Sequence, residues 1–89
     1  MYKLFLGVNY TCMTKSQFAN RLKELRIATG ISQTKLCEST SIGSTLYELY
    51  ESENHSHMPT YKRLIALANI FECSIDYLLC QTDNPKRNN

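Results

Sequence analysis

Gly30-Ile31-Ser32-Gln33-Thr34-Lys35-Leu36-Cys37-Glu38-Ser39-Thr40-Ser41-Ile42-Gly43-Ser44-Thr45-Leu46-Tyr47-Glu48-Leu49-Tyr50-Glu51 decides the fold of this chain. Gly30 suits the left-handed cap that ends a helix. Ser32 is the kind of residue whose side-chain oxygen takes up a free N–H at a helix start, so a short helix is expected from there to about Ser39. Leu36 and Cys37 would face inward. Thr40-Ser41 reads as a turn, with Ile42 as an apolar plug behind it. Gly43 or Ser44 then caps a second short helix running to about Glu51. In it Tyr47 and Tyr50, three apart, share a face, with Leu46 beside them.

Outward from this pair the same logic holds. Thr14-x-x-Gln17 matches a capping box, in which hydroxyl and carboxamide satisfy each other's backbone donors. Phe18, Leu22 and Leu25 follow at helical spacing with Ala19 alongside. On the other side, Ser52 to Met58 is polar and aperiodic, and Pro59 precludes a continuous helix. Thr60 caps a fourth helix with Leu64, Ile65, Leu67, Ala68 and Phe71 on its apolar side. Glu72-Cys73 is a turn, and Ser74 caps a last short helix carrying Ile75, Leu78 and Leu79. The expected architecture is all-α, five helices. Residues 14–80 form the domain, 1–13 an extended arm or strand, and 81–89 a frayed polar tail. In the arm Leu4, Leu6, Val8, Tyr10 and Cys12 alternate loosely. It could pair with the same arm of a second subunit, or be a poorly packed tail, with Met13 the true start.

The chain has 89 residues, 43% hydrophobic, with a formal net charge of +2. That is enough for one small core and too weakly basic to indicate a nucleic-acid partner by itself. The charges are segregated, however. Lys15, Arg21, Lys23, Arg26 and Lys35 crowd the first part against Glu24 alone, and Glu38, Glu48, Glu51 and Glu53 follow. Such a chain could fold with one basic edge, or simply with two solvated faces of opposite sign. Of the cysteines Cys12, Cys37, Cys73 and Cys80, no two have the close spacing of a zinc site, so they read as packing residues. No secretory leader is legible at Met1–Met13, and no apolar run approaches the ~20 residues of a membrane span. A cytoplasmic protein with reduced thiols and no cofactor is expected.

Two helices of about eight residues split by a four-residue turn make a helix-turn-helix unit, here 32–51. The segment from Arg21 to Leu36 resembles the opening of the lambda-repressor-like (Cro-type, XRE) helix-turn-helix family. That family shows a helix ending in Gly, then an apolar residue, Ser or Thr, Gln, and Leu three later; Gly30, Ile31, Ser32, Gln33 and Leu36 stand in that order. Ile42 falls at the family's apolar turn position, Tyr47 and Tyr50 at its buried recognition-helix positions, and Glu51 at its Glu. Leu64 to Phe71 resembles the fourth helix and Cys73 to Leu79 the closing one. The resemblance covers roughly Phe18 to Leu79. Ser41 departs from the usual turn glycine, Gly43 from the usual Ser or Thr cap, and Cys37 from an alanine. The loop Ser52 to Met58 is about two residues longer than the family's.

The resemblance implies a prokaryotic or phage transcriptional regulator that binds double-stranded DNA, with its third helix in the major groove. By position, Ser44, Thr45, Glu48 and Leu49 would read base edges: hydroxyls pair with several bases, Thr45 and Leu49 can press on a thymine methyl, and Glu48 can accept from cytosine. Gln33 would bond a phosphate, helped by the helix start around Ser32 and by Gly43, with Lys35, Arg21 and Lys15 adding non-specific attraction. Arg26 and Glu51 would pair as a structural salt bridge. The weakness is that Ser39 to His57 holds no Lys or Arg, so one subunit should bind weakly, and a homodimer on a palindromic operator would offset this. Protonation of His55 and His57 below about pH 6.5 would add charge to the loop.

Two other readings compete. A protein-interaction domain could keep this fold and have lost DNA, as the acidic third helix suggests. An antitoxin or restriction-controller protein would bind DNA with the same fold. An enzyme is not expected, because Glu48 with Glu51 and His55 with His57 are the only near pairs and no pocket converges on them. A zinc site built from His55, His57 and a cysteine has no sign of the hydrogen-bonding partners that orient metal ligands, so no metal is expected.

Overall fold

A computed structural model describes residues 13–87. The helices are α1 Lys15–Thr29, α2 Gln33–Thr40, α3 Ser44–Glu51, α4 Tyr61–Phe71 and α5 Ile75–Leu78. The expected arm lies outside the described residues except for Met13, which is half-buried against the core.

Four of the five starts are made locally by a side-chain cap. Thr14 Oγ1 accepts from the Gln17 N–H at 3.1 Å, and Gln17 Oε1 accepts from the Thr14 N–H at 2.9 Å, closing the capping box. Ser32, Thr60 and Ser74 accept from the N–H groups of Lys35, Arg63 and Tyr77 at α2, α4 and α5. Such caps satisfy donors that the helix cannot, and each contributes about 1 kcal/mol. Gly30 closes α1 at φ +76°, its N–H donating to the Arg26 and Ile27 carbonyls. α3 starts at Gly43 without a side-chain cap.

The apolar faces converge on one core. α1 packs on α3, α4 and α5, and α2 on α3 and α4. Phe18, Leu22, Leu36, Ile42, Tyr47, Tyr50, Leu67 and Leu78 are all buried. Burying a side chain of this size contributes about 1.5–3 kcal/mol, and the edge-to-face pair Tyr47–Tyr50, centroids 6.4 Å apart, adds to that. Ile65, expected on the apolar side of α4, is instead partly exposed, because α4 turns its Leu64, Leu67, Ala68 and Phe71 face inward.

Residues 81–87 make contacts that a frayed tail would not. Arg21 Nη1 donates to the Tyr77 carbonyl at 2.8 Å and to that of Thr82 at 3.3 Å, with its guanidinium 3.9 Å from the Tyr77 ring centroid. Its other nitrogen pairs with Asp83 at 3.4 Å. The Ser74 N–H donates to the Pro85 carbonyl, and Arg87 donates to Asn69. The segment therefore runs back along α1, α4 and α5.

Ser41, where the turn glycine would stand, carries the left-handed conformation at φ +59°, ψ +30°. A Cβ there costs about 1–2 kcal/mol. Ser41→Gly removes that strain but enlarges the entropy of the unfolded chain. The expected net is a gain of about 0.5–1 kcal/mol, read as a rise of a few degrees in the melting temperature. A fall would mean that the Ser41 side chain stabilises the turn.

Candidate nucleic-acid interface

With Tyr47 and Tyr50 turned into the core, an eight-residue helix leaves one outward face. On α3 that face is Ser44, Thr45 and Glu48, all exposed, with Gly43 exposed ahead of them. A Cβ on Gly43 would meet nothing within 4 Å, so backbone is presented there without a side chain. Leu49 is half-buried, and its carbonyl accepts from Lys15 Nζ at 2.9 Å.

The start of α2 stands beside this helix. Ser32 is exposed, with its hydroxyl engaged by the Lys35 N–H at 3.1 Å. Lys35 itself points to solvent. Gln33, half-buried, donates from Nε2 to Glu51 Oε1 at 3.4 Å, which ties the first residue of α2 to the last residue of α3.

Arg26 and Glu51 join α1 to α3. Arg26 Nε lies 2.7 Å from Glu51 Oε2, and Nη2 lies 3.2 Å from Oε1. The Glu51 side chain is 6% exposed and that of Arg26 16%. Tyr47 donates its hydroxyl to Glu51 Oε2. The hydrogen bond to Glu51 raises the Arg26 pKa, so the guanidinium stays charged. Burial first, and then the bond to Glu51, push the Tyr47 phenol far above its usual range and hold it as a donor.

That shift has a stability consequence. A phenol whose folded pKa is raised contributes stability that is present below the unfolded value, about 10, and is lost as pH rises beyond it. Tyr47 should therefore add about 1.4 kcal/mol of lost stability per pH unit above pH 10. Tyr47→Phe removes that contribution, and denaturation followed from pH 9 to 11 should show a shallower alkaline limb. Equal limbs would place Tyr47 in water.

Two of the cations expected at phosphate have acceptors inside the fold. Lys15 donates to the carbonyls of Leu49 and Ser52 and so caps the C-terminus of α3; desolvation lowers its pKa. Arg21 is held by α5 and the following segment. The charge segregation in the sequence thus resolves partly into internal bonds. Ser16 likewise donates to Glu53. Spacing could have flagged one missed member of the site: Tyr47 stands four residues before Glu51 on one helix, the interval at which side chains meet. The Lys15 bond crosses 34 residues and has no local signature. Sequence reasoning also passed over Lys62, exposed, and Arg63, half-buried, which line a shallow cleft with Thr40, Ser41 and Thr60 at the start of α4. His55 and His57 are exposed in the α3–α4 loop with ring centroids 6.3 Å apart. Among the described residues no cluster of three or more His, Cys, Asp or Glu could hold a metal ion, and no helix is long and apolar enough to cross a membrane.

Comparison with known proteins gives the same architecture a family. The family model of a helix-turn-helix domain matches residues 19–84. Two helix-turn-helix-type transcriptional regulators of Bacillus subtilis (strain 168) are similar. YobD is 35% identical over 68 residues, 76% of this chain and 59% of its own length. YqaE is 35% identical over 69 residues, 78% of this chain and 58% of its own. The chain thus spans less than two thirds of each relative. No solved structure matches.

Proposed function

The chain belongs to the lambda-repressor-like helix-turn-helix family, and from that premise we propose that it is a sequence-specific DNA-binding transcriptional regulator of the repressor type. α3 enters the major groove, where Ser44, Thr45 and Glu48 meet base edges and Leu49 contributes apolar contact from the flank. Gln33, Ser32, Lys35 and the backbone at Gly43 take the phosphates alongside. The observation that carries this reading is the shared presentation of the exposed α3 face and the α2 start, locked to each other through Glu51. Lys15 and Arg21 contribute only general positive potential, since both have internal acceptors. Few phosphate-facing cations remain, so two subunits on a palindromic site supply the affinity that one lacks.

Selection from a random duplex pool, followed by titration of the recovered site at several salt concentrations, tests it. A palindromic site with affinity falling as salt rises supports the proposal. No enrichment at low salt would overturn it. It would favour the second reading, a protein-interaction domain of the same fold, to which the absence of Lys and Arg between Ser39 and His57 also points.

A further inference from the structure

We infer that Glu51 is a positioning residue for phosphate recognition, orienting the Gln33 carboxamide so that its second N–H is aimed outward. The inference rests on the proposed phosphate contact of Gln33.

The acceptor capacity of Glu51 is filled from three helices. Oε2 receives Arg26 Nε and the Tyr47 hydroxyl, and Oε1 receives Arg26 Nη2 and Gln33 Nε2. A carboxylate offers about four lone-pair sites, so the group has no freedom to turn. It is also acceptor-only. A flipped Gln33 would set its own carbonyl oxygen against a carboxylate, so Nε2 must face Glu51. A carboxamide nitrogen carries two hydrogens. One goes to Glu51, and the other is left for an acceptor at the α2 start. Without Glu51 the amide would turn freely and half its orientations would show oxygen to an anionic backbone. Fixing it beforehand removes an ordering cost at binding. The negative charge this places near DNA is offset by Arg26 at 2.7 Å.

The test is a double-mutant cycle on the full chain, reading affinity for the selected duplex and for a random-sequence duplex at low salt. Arg26→Met/Glu51→Leu replaces the buried pair by apolar groups, a change that folds often tolerate, and it removes the acceptor of Gln33. Gln33→Ala should weaken binding about tenfold, the scale of one charge-assisted hydrogen bond. The apolar pair should weaken it by less, about twofold, since a freely turning amide still offers its N–H in half its orientations, and Gln33→Ala added to that pair should cost clearly less than it costs in the wild type. A merely structural Glu51 gives additive losses instead, which overturns the inference while leaving DNA binding intact. No effect of Gln33→Ala overturns it too. A wild-type chain that binds neither duplex sinks the functional reading along with it. Side-chain amide relaxation of Gln33 in the free wild-type protein decides the matter even if the apolar pair fails to fold: a rigid amide is expected, and one that tumbles freely overturns the inference.

Discussion

Glu51→Ala is expected to lose about 3–5 kcal/mol of folding stability, the largest effect of any single substitution in this interface. The alanine would strand three donors at once. Arg26 would keep its charge in a site where its side chain is only 16% exposed. The Tyr47 hydroxyl, on a residue with no exposed surface, would lose its acceptor, and Gln33 would come free of α3. Against the total stability of a small domain, on the order of 5 kcal/mol, that is most of the fold. The control is Arg26→Met/Glu51→Leu, which removes charge and partner together and should lose much less than Glu51→Ala, because the desolvation cost of both ions disappears with their attraction and the stranded Tyr47 hydroxyl is the main remaining cost, about 1–3 kcal/mol. Urea denaturation of the two variants checks the pair. A loss under about 1 kcal/mol for Glu51→Ala would mean that the bridge behaves as a solvated surface pair.

Ser44→Ala with Thr45→Ala should reduce affinity for the selected site on the order of a hundredfold, since each lost base contact discriminates by about 1–3 kcal/mol. Both side chains are exposed and make no bond that the fold depends on, so the melting temperature should hardly move. Affinity for random-sequence duplex at the same salt should be unchanged, because phosphate attraction carries that binding. Competition titrations with the two duplexes separate the cases. An equal loss on both would make Ser44 and Thr45 backbone contacts instead of readers.

Much of this was legible along the chain because it is decided within four residues. Thr14 with Gln17, and Ser32, Thr60 and Ser74 each with the N–H three residues on, are local events, and the structure repeats them. The core was equally open to reading. Phe18 with Leu22, Tyr47 with Tyr50, and Leu64 with Leu67 and Phe71 recur at helical spacing, and a helix with one apolar stripe has one way to bury it. The turn was harder. A serine at φ +59° has no local advantage there, and packing of the flanking helices imposes the conformation.

The sequence by itself therefore determined five helices, side-chain caps at four of their starts and their buried faces, since all of these follow from backbone periodicity and short-range hydrogen bonding, while the outward residues of α3 are what the family resemblance implies. Only the tertiary structure decided where the long charged side chains end. Lys15 crosses to the last carbonyls of α3, Arg21 to the segment beyond α5, and Glu51, besides the Arg26 that the family resemblance implies for it, to donors from α2 and its own helix. The reason is physical. A cation on several rotatable bonds can reach many acceptors from one position, and which of them it meets depends on how the helices cross, a property that no stretch of sequence holds locally.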